Sequence, residues 1–123
     1  MALVLCVGLN SGLLLTRKLI LEDAGHVVAT ASSADEVSAA CRDVRFDVAV
    51  VTQNGVPESS HAWMAIIRKH CPGISVLEVC SPEIDTPFPD SDALLEAPAD
   101  PDELIRQVAI LASKKRKAAQ QPR

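Results

Sequence analysis

The sequence predicts an α/β fold in which five parallel strands form one sheet with helices on both faces. Short apolar segments alternate with longer segments that carry helix signals, a pattern typical of a sheet linked by right-handed helical crossovers. The strand segments are nearly continuous apolar runs, as expected for strands buried on both faces. With 123 residues, 48% of them hydrophobic, the chain can bury the core of one domain. We assign residues 1–113 to this domain and residues 114–123 to a basic, flexible tail.

The first half of the chain predicts three strands and two helices. Residues 3–7 form the first strand, and a helix with a broad apolar face follows it and ends at Gly25. A short strand over residues 27–30 leads to a helix that begins with the capping box formed by Ser33 and Glu36. The strongest strand signal of the chain then covers residues 47–52.

The second half predicts two strands and two further helices. A helix runs from about residue 60 to residue 70, and strands cover residues 74–79 and 93–96. The last helix begins after Asp100, whose side chain is suited to the N-cap position, and it has an amphipathic pattern. Trp63 lies among apolar residues of the earlier helix, so we expect it to pack in the core.

The connection between the last two strands is too short for an ordinary helical crossover. It spans residues 81–92, and prolines disrupt the interior of a helix. Its prolines are Pro82, Pro87 and Pro89. We therefore expect the fourth helix of the fold to be shortened or absent.

Three segments carry a resemblance to a known family. They are Glu-Asp-Ala-Gly-His at residues 22–26, Phe-Asp-Val-Ala-Val-Val-Thr at residues 46–52 and Glu-Ala-Pro at residues 96–98. Together with the order of the elements, they resemble a response-regulator receiver domain from residue 2 to about residue 113. The resemblance implies a three-layer, flavodoxin-like sheet with the strand order 2-1-3-4-5. It also implies a role in signal transduction in two-component systems.

The chain departs from the receiver family at the positions that carry phosphorylation. The resemblance implies two acids after the first strand, where this chain has Gly8 and Leu9, and a phosphoacceptor aspartate at the position of Thr52. The other departures lie on the last two strands. They are Cys80 for a hydroxyl residue, for which the adjacent Ser81 is an alternative match, Leu94 for an aromatic switch residue and Ala97 for a lysine.

These departures predict a pseudo-receiver that uses no metal and no cofactor. Mg²⁺ prefers oxygen ligands that include one or two carboxylates, and the residues at these strand ends supply none. Asp47 begins the third strand, so it lies roughly 16 Å from Thr52 at about 3.3 Å per residue. The hydroxyl of Thr52 also lacks an evident activating base. We therefore predict that the chain is not an enzyme and is not switched by aspartyl phosphorylation.

A protein-interaction or dimerisation role is the leading prediction for such a domain. We expect the contact on the altered surface around the fourth helix, the fifth strand and the last helix. Glu78 is unusual inside a central strand, because a buried carboxylate is costly unless it is paired, and it could meet solvent or a partner there. Phe88, which is flanked by prolines, is the aromatic residue that we expect to be exposed.

Other classes of function rest on single features. Residues 8–12 (Gly-Leu-Asn-Ser-Gly) form a strand-to-helix turn that could bind a small ligand or anion, although they match no phosphate-binding motif. A zinc site formed by His70, Cys71 and Cys80 lacks the usual paired spacing. A cysteine-phosphatase loop at Cys71 lacks a following arginine.

The composition argues against nucleic-acid and membrane partners. The net charge is −4 and aromatic residues make up 2% of the chain, so neither phosphate attraction nor base stacking is favoured. The apolar run at residues 2–7 is too short to span a bilayer, and we expect a cytoplasmic protein. The four cysteines form no close pair in the sequence and are predicted to be buried free thiols.

Overall fold

A computed structural model of the protein describes residues 2–53, 57–71, 73–80, 91–96 and 100–120, with residues 53, 57–61 and 114–120 described by their backbone only. The strands are β1 (Leu3–Val7), β2 (Val27–Ala31), β3 (Val48–Gln53), β4 (Ser75–Cys80) and β5 (Ala93–Glu96). The helices in these residues are α1 (Ser11–Asp23), α2 (Ala34–Asp43), α3 (Pro57–His70) and α4 (Pro101–Gln120).

The strands form one parallel sheet in the order β2-β1-β3-β4-β5. One face packs against α2 and α3, and this half of the core includes Val37 and Trp63. The other face packs against α1 and α4, and its core includes Leu14 and Leu104. The predicted fold class and strand order are therefore confirmed, and so is the core position of Trp63, which is 2% exposed.

The helix ends follow the local sequence signals. The Ser33 hydroxyl accepts a hydrogen bond from the backbone N–H of Glu36 at 3.2 Å, and a cap of this kind contributes about 1 kcal/mol to stability. The Glu36 carboxylate accepts from the backbone N–H and the hydroxyl of Ser32, each at 2.8 Å, so the reciprocal half of the box lies one residue earlier than usual. Gly25 ends α1 with φ of 96°, as its sequence position predicts.

The structure moves two of the predicted boundaries near the third strand. Helix α3 begins at Pro57, about three residues before the predicted start, because proline is well tolerated in the first turn of a helix. Strand β3 continues to Gln53, which pairs with Cys80 on β4. Thr52 is therefore the penultimate residue of the strand.

Helix α1 buries fewer of its leucines than the sequence led us to expect. Leu13, Leu15 and Leu19 are 47%, 55% and 57% exposed. The residues that α1 buries are Leu14, Arg17 and Leu21. These positions are three and four residues apart, which places them on one side of a helix with 3.6 residues per turn. The expectation of a broad apolar face is therefore wrong.

Helix α4 begins after Asp100, whose carboxylate accepts a hydrogen bond from the backbone N–H of Asp102 at 2.9 Å. The helix continues to Gln120 and so includes residues 114–120, which we assigned to a tail. The boundary at residue 113 stays a prediction. Residues 81–90, where we expected the fourth helix to be reduced, lie outside the described residues, as do Phe88 and Ala97. None of the described helices has the length and apolar character to cross a membrane.

Candidate functional site

The candidate site lies at the carboxyl ends of β1 and β3. The chain leaves β1 towards β2 on one side and later returns to β3 on the other, and ligands of open α/β sheets bind at such a switch point. Four residues form this place, which we call the crevice: Gly8, Leu9, Arg17 and Thr52.

Thr52 faces the helices α1 and α4. Val48 and Val50 of the same strand belong to the core on that side, and the strand alternation of side chains brings Thr52 to the same face. Thr52 is partly exposed. A Cβ atom placed on Gly8 would lie only 3.2 Å from Thr52 Oγ1, so glycine permits the close approach of β1 to this side chain.

Arg17 is the residue of the crevice that the sequence analysis missed. It is 7% exposed, and its guanidinium donates a hydrogen bond to Thr52 Oγ1. Its long aliphatic stem can lie along the apolar core while its head reaches the strand end. The spacing of residues 14, 17 and 21 was the available signal, but an arginine between apolar residues was not counted as part of the buried face.

The crevice carries a positive charge without a neighbouring negative one. Among the described side chains, no carboxylate lies within ion-pair distance of Arg17. Burial lowers the pKa of Arg17, an effect that nearby Cys6 opposes, and the guanidinium of arginine stays protonated in proteins. Burial also raises the pKa of the Cys6 thiol to about 12, so Cys6 is neutral at pH 7.

The remaining positions named by the sequence do not join the crevice as a cluster. Leu94 is 47% exposed on β5, away from the ends of β1 and β3. Cys80 is buried at the end of β4. The pKa of its thiol is raised mainly by this burial and to a lesser extent by the carboxylates of Glu78 and Glu96.

Glu78 is buried, so its expected exposure to solvent or a partner is wrong. Its relative exposure is 0%, and Ser91 Oγ donates a hydrogen bond of 3.0 Å to its carboxylate. A buried carboxylate needs such donors to replace the water that it loses. Glu78 is therefore part of the contact between β4 and the residues that precede β5.

The acids and metal-ligating residues of the described chain do not form a metal centre. Asp47 lies at the far end of the sheet, as predicted, because its Oδ2 accepts a hydrogen bond of 2.9 Å from the backbone N–H of Leu3. The described residues contain no group of three or more His, Cys, Asp or Glu side chains that could hold a metal ion. His70, Cys71 and Cys80 are all among these residues.

The turn at residues 8–12 leads into α1, and the side chain of Asn10 in this turn caps the helix. Asn10 Oδ1 accepts from the backbone N–H of Leu13 at 3.1 Å, and the Asn10 carbonyl accepts from Leu14 at 3.0 Å. These contacts occupy N–H groups that an anion at the helix terminus would use. A separate cleft of about 190 Å³ lies between α1 and the start of α2, with Lys18 and Glu36 in its lining.

The four cysteines are free and buried, as predicted. The structure adds one contact that the sequence does not show, a side-chain hydrogen bond between the thiols of Cys41 and Cys71. Burial, together with this contact, raises the pKa of Cys41 to about 12. Cys41 is therefore a neutral thiol at pH 7 and a weak nucleophile.

Solved structures that are similar to this chain include receiver domains of response regulators. The chain is similar to NtrX from Brucella abortus, solved in complex with ADP, with a TM-score of 0.85 and 20% identity over 97% of this chain and 28% of NtrX. It is also similar to a CheY-like receiver domain protein from Methanospirillum hungatei, with a TM-score of 0.81 and 20% identity over 96% and 98% of the two chains.

A Francisella response-regulator receiver domain gives a TM-score of 0.78 with 21% identity over 93% of this chain and 98% of that one. The chain thus spans nearly the whole of two receiver domains and about a quarter of the longer NtrX chain. No protein-family model and no curated protein sequence matches the chain. At these identities the likeness shows a shared fold.

Proposed function

We propose that the chain is a pseudo-receiver, a receiver-type module of signal transduction that works by protein contact and without aspartyl phosphorylation. The observation that carries this proposal is the hydrogen bond between Arg17 and Thr52 in the crevice. The fold shared with receiver domains supports the signalling role. The chemistry of the crevice supports independence from phosphorylation.

Three properties of the crevice argue against a phosphorylation switch. Thr52 has no carboxylate and cannot form an acyl phosphate. Gly8 and Leu9 offer no side-chain oxygen to Mg²⁺, which is usually bound through one or two carboxylates. The guanidinium of Arg17 adds a positive charge, and like charges repel strongly where water is largely excluded. The chain therefore combines the loss of the acceptor with the loss of the metal ligands.

Incubation with acetyl phosphate and Mg²⁺ followed by intact-mass spectrometry tests the proposal. We expect the mass to stay unchanged, while an active receiver domain treated in parallel gains a phosphoryl group. Thr52→Asp is the matched variant, because it restores an acceptor and leaves the metal ligands absent. We expect no gain in this variant either. A stoichiometric phosphoryl adduct on the native chain would overturn the proposal.

The surface beside β5 is the part that we propose to bind a protein partner or a second copy of the chain. Strand β5 is one edge of the sheet and is only four residues long. Ala93 and Leu95 pack towards the core of α1 and α4, whereas Leu94 is 47% exposed. An exposed apolar side chain of this size supports a contact site, with Leu94 as its anchor.

A further inference from the structure

The guanidinium of Arg17 is buried, and among the described residues it has one hydrogen-bond acceptor. It has five N–H donors, and in the described residues the hydroxyl oxygen of Thr52 is its acceptor. Arg17 is 7% exposed, so water can replace few of the missing acceptors. A buried charge is costly unless it is paired or hydrogen-bonded. Within the described residues, the guanidinium therefore has more donors than acceptors to receive them.

Thr52 contributes a second donor at the same place. Its oxygen accepts the hydrogen bond from Arg17, so its hydroxyl proton is available to another acceptor. No described residue accepts this proton. The backbone N–H of Gly8 is already bonded to the carbonyl of Ala31 at 3.2 Å. The remaining donors of Arg17 and the hydroxyl proton of Thr52 thus lie side by side, and no described residue accepts that proton.

The charge of Arg17 is not balanced by a neighbouring acid among the described side chains. Cys6 is the titratable group that interacts with it, and burial raises the pKa of that thiol to about 12. Cys6 therefore remains neutral at pH 7 and cannot act as the counter-ion. Thr52 is partly exposed, so the donors lie where a solute can reach the strand ends.

We propose that the crevice binds a small oxyanion, a phosphate or a carboxylate, beside the hydrogen-bonded pair of Arg17 and Thr52, which would donate to it from the guanidinium and the hydroxyl. Guanidinium groups match the geometry of both oxyanions through paired N–H donors. The binding is non-covalent, so this inference goes beyond the proposed function and does not depend on it. The site also differs from the turn at residues 8–12, because its donors are side chains of α1 and β3.

The test is a titration of the full chain with inorganic phosphate and, separately, with acetate, followed by heteronuclear NMR at constant ionic strength. We expect saturable shifts in the Arg17 side-chain N–H and the Thr52 backbone amide with at least one of the two anions. Tighter binding of phosphate would show that the site fits a tetrahedral anion, and tighter binding of acetate would show that it fits a planar one. Chloride at the same ionic strength should produce no saturable shift.

Three variants assign the binding to the two donors. Arg17→Met should weaken binding by about tenfold or more, because it removes a charge-assisted hydrogen bond. Thr52→Val keeps the side-chain shape and should also weaken it, which keeps the test valid if Arg17→Met does not fold. Lys18→Met removes the same charge from the next residue of α1 and should bind as the native chain does. The proposal is overturned if neither anion saturates, or if both crevice variants retain native affinity.

Discussion

Arg17 is the charged residue of the crevice, and its neighbours there are uncharged. Its guanidinium reaches Thr52 from the buried face of α1, and Gly8 leaves room because a Cβ there would press on Thr52 Oγ1 at 3.2 Å. A hydroxyl can accept from a guanidinium without adding a charge. Substitution of Thr52 therefore measures directly how the buried cation influences its surroundings.

Replacing Thr52 with aspartate should stabilise the chain at pH 7. The new carboxylate would meet a guanidinium that is already desolvated, and a hydrogen bond to a charged partner contributes about 1.5–3 kcal/mol. Arg17 would hold the pKa of this carboxyl below its unfolded value of about 3.9. The gain should thus be present above that value and be lost as the pH falls through the lower folded pKa.

Urea unfolding of the native chain and of Thr52→Asp at pH 7 and at acidic pH measures this effect. The matched background is Arg17→Met, in which the aspartate has no cation to pair with. There the substitution should destabilise the chain, because it would place an unpaired carboxylate in a partly buried crevice. An equal effect of Thr52→Asp in both backgrounds would contradict the contact between residues 17 and 52.

At the scale of the elements, β5 combines a sheet edge with an outward-facing apolar side chain. Its four residues alternate, with Leu94 and Glu96 exposed and Ala93 and Leu95 partly buried. Short edge strands with charged residues limit uncontrolled pairing between sheets. Leu94 therefore offers a local apolar anchor on an edge that is poorly suited to extended strand addition.

Leu94→Asp should weaken the protein contact that we propose for this surface. A charge at the anchor would have to be desolvated on binding, which disfavours association. Sedimentation velocity across a range of concentrations should show a shift of Leu94→Asp towards monomer relative to the native chain. Leu19→Asp is the control, since Leu19 is 57% exposed on α1, away from β5. Equal profiles for the native chain and Leu94→Asp would contradict self-association through β5.

At the scale of the whole molecule, local sequence signals were sufficient for the architecture. The strands are apolar runs, and Gly25, Ser33 and Asp100 mark helix ends by backbone and capping chemistry that acts over a few residues. The order of the sheet followed from the resemblance to receiver domains, and the fold confirms it. These features depend little on which distant residue each side chain meets.

The polar contacts inside the fold could not be predicted in the same way. Arg17 meets a strand residue 35 positions away, and Glu78 meets Ser91 across a 13-residue interval. Both contacts exist only after helices and strands have packed together. Nothing in the sequence indicates these partners, whereas in the structure the side chains of Arg17 and Glu78 are both buried and hydrogen-bonded.

In the described chain, the cation Arg17 lies at the carboxyl ends of β1 and β3, where Gly8, Leu9 and Thr52 supply no carboxylate. This arrangement makes magnesium the most informative probe of the crevice. Titration of the native chain with MgCl₂, followed by heteronuclear NMR at constant ionic strength, reports binding through the backbone amides of Gly8, Leu9 and Thr52. We predict that these amides show no saturable shift, because no carboxylate faces Arg17 in the described residues. A saturable shift confined to these amides would contradict the account.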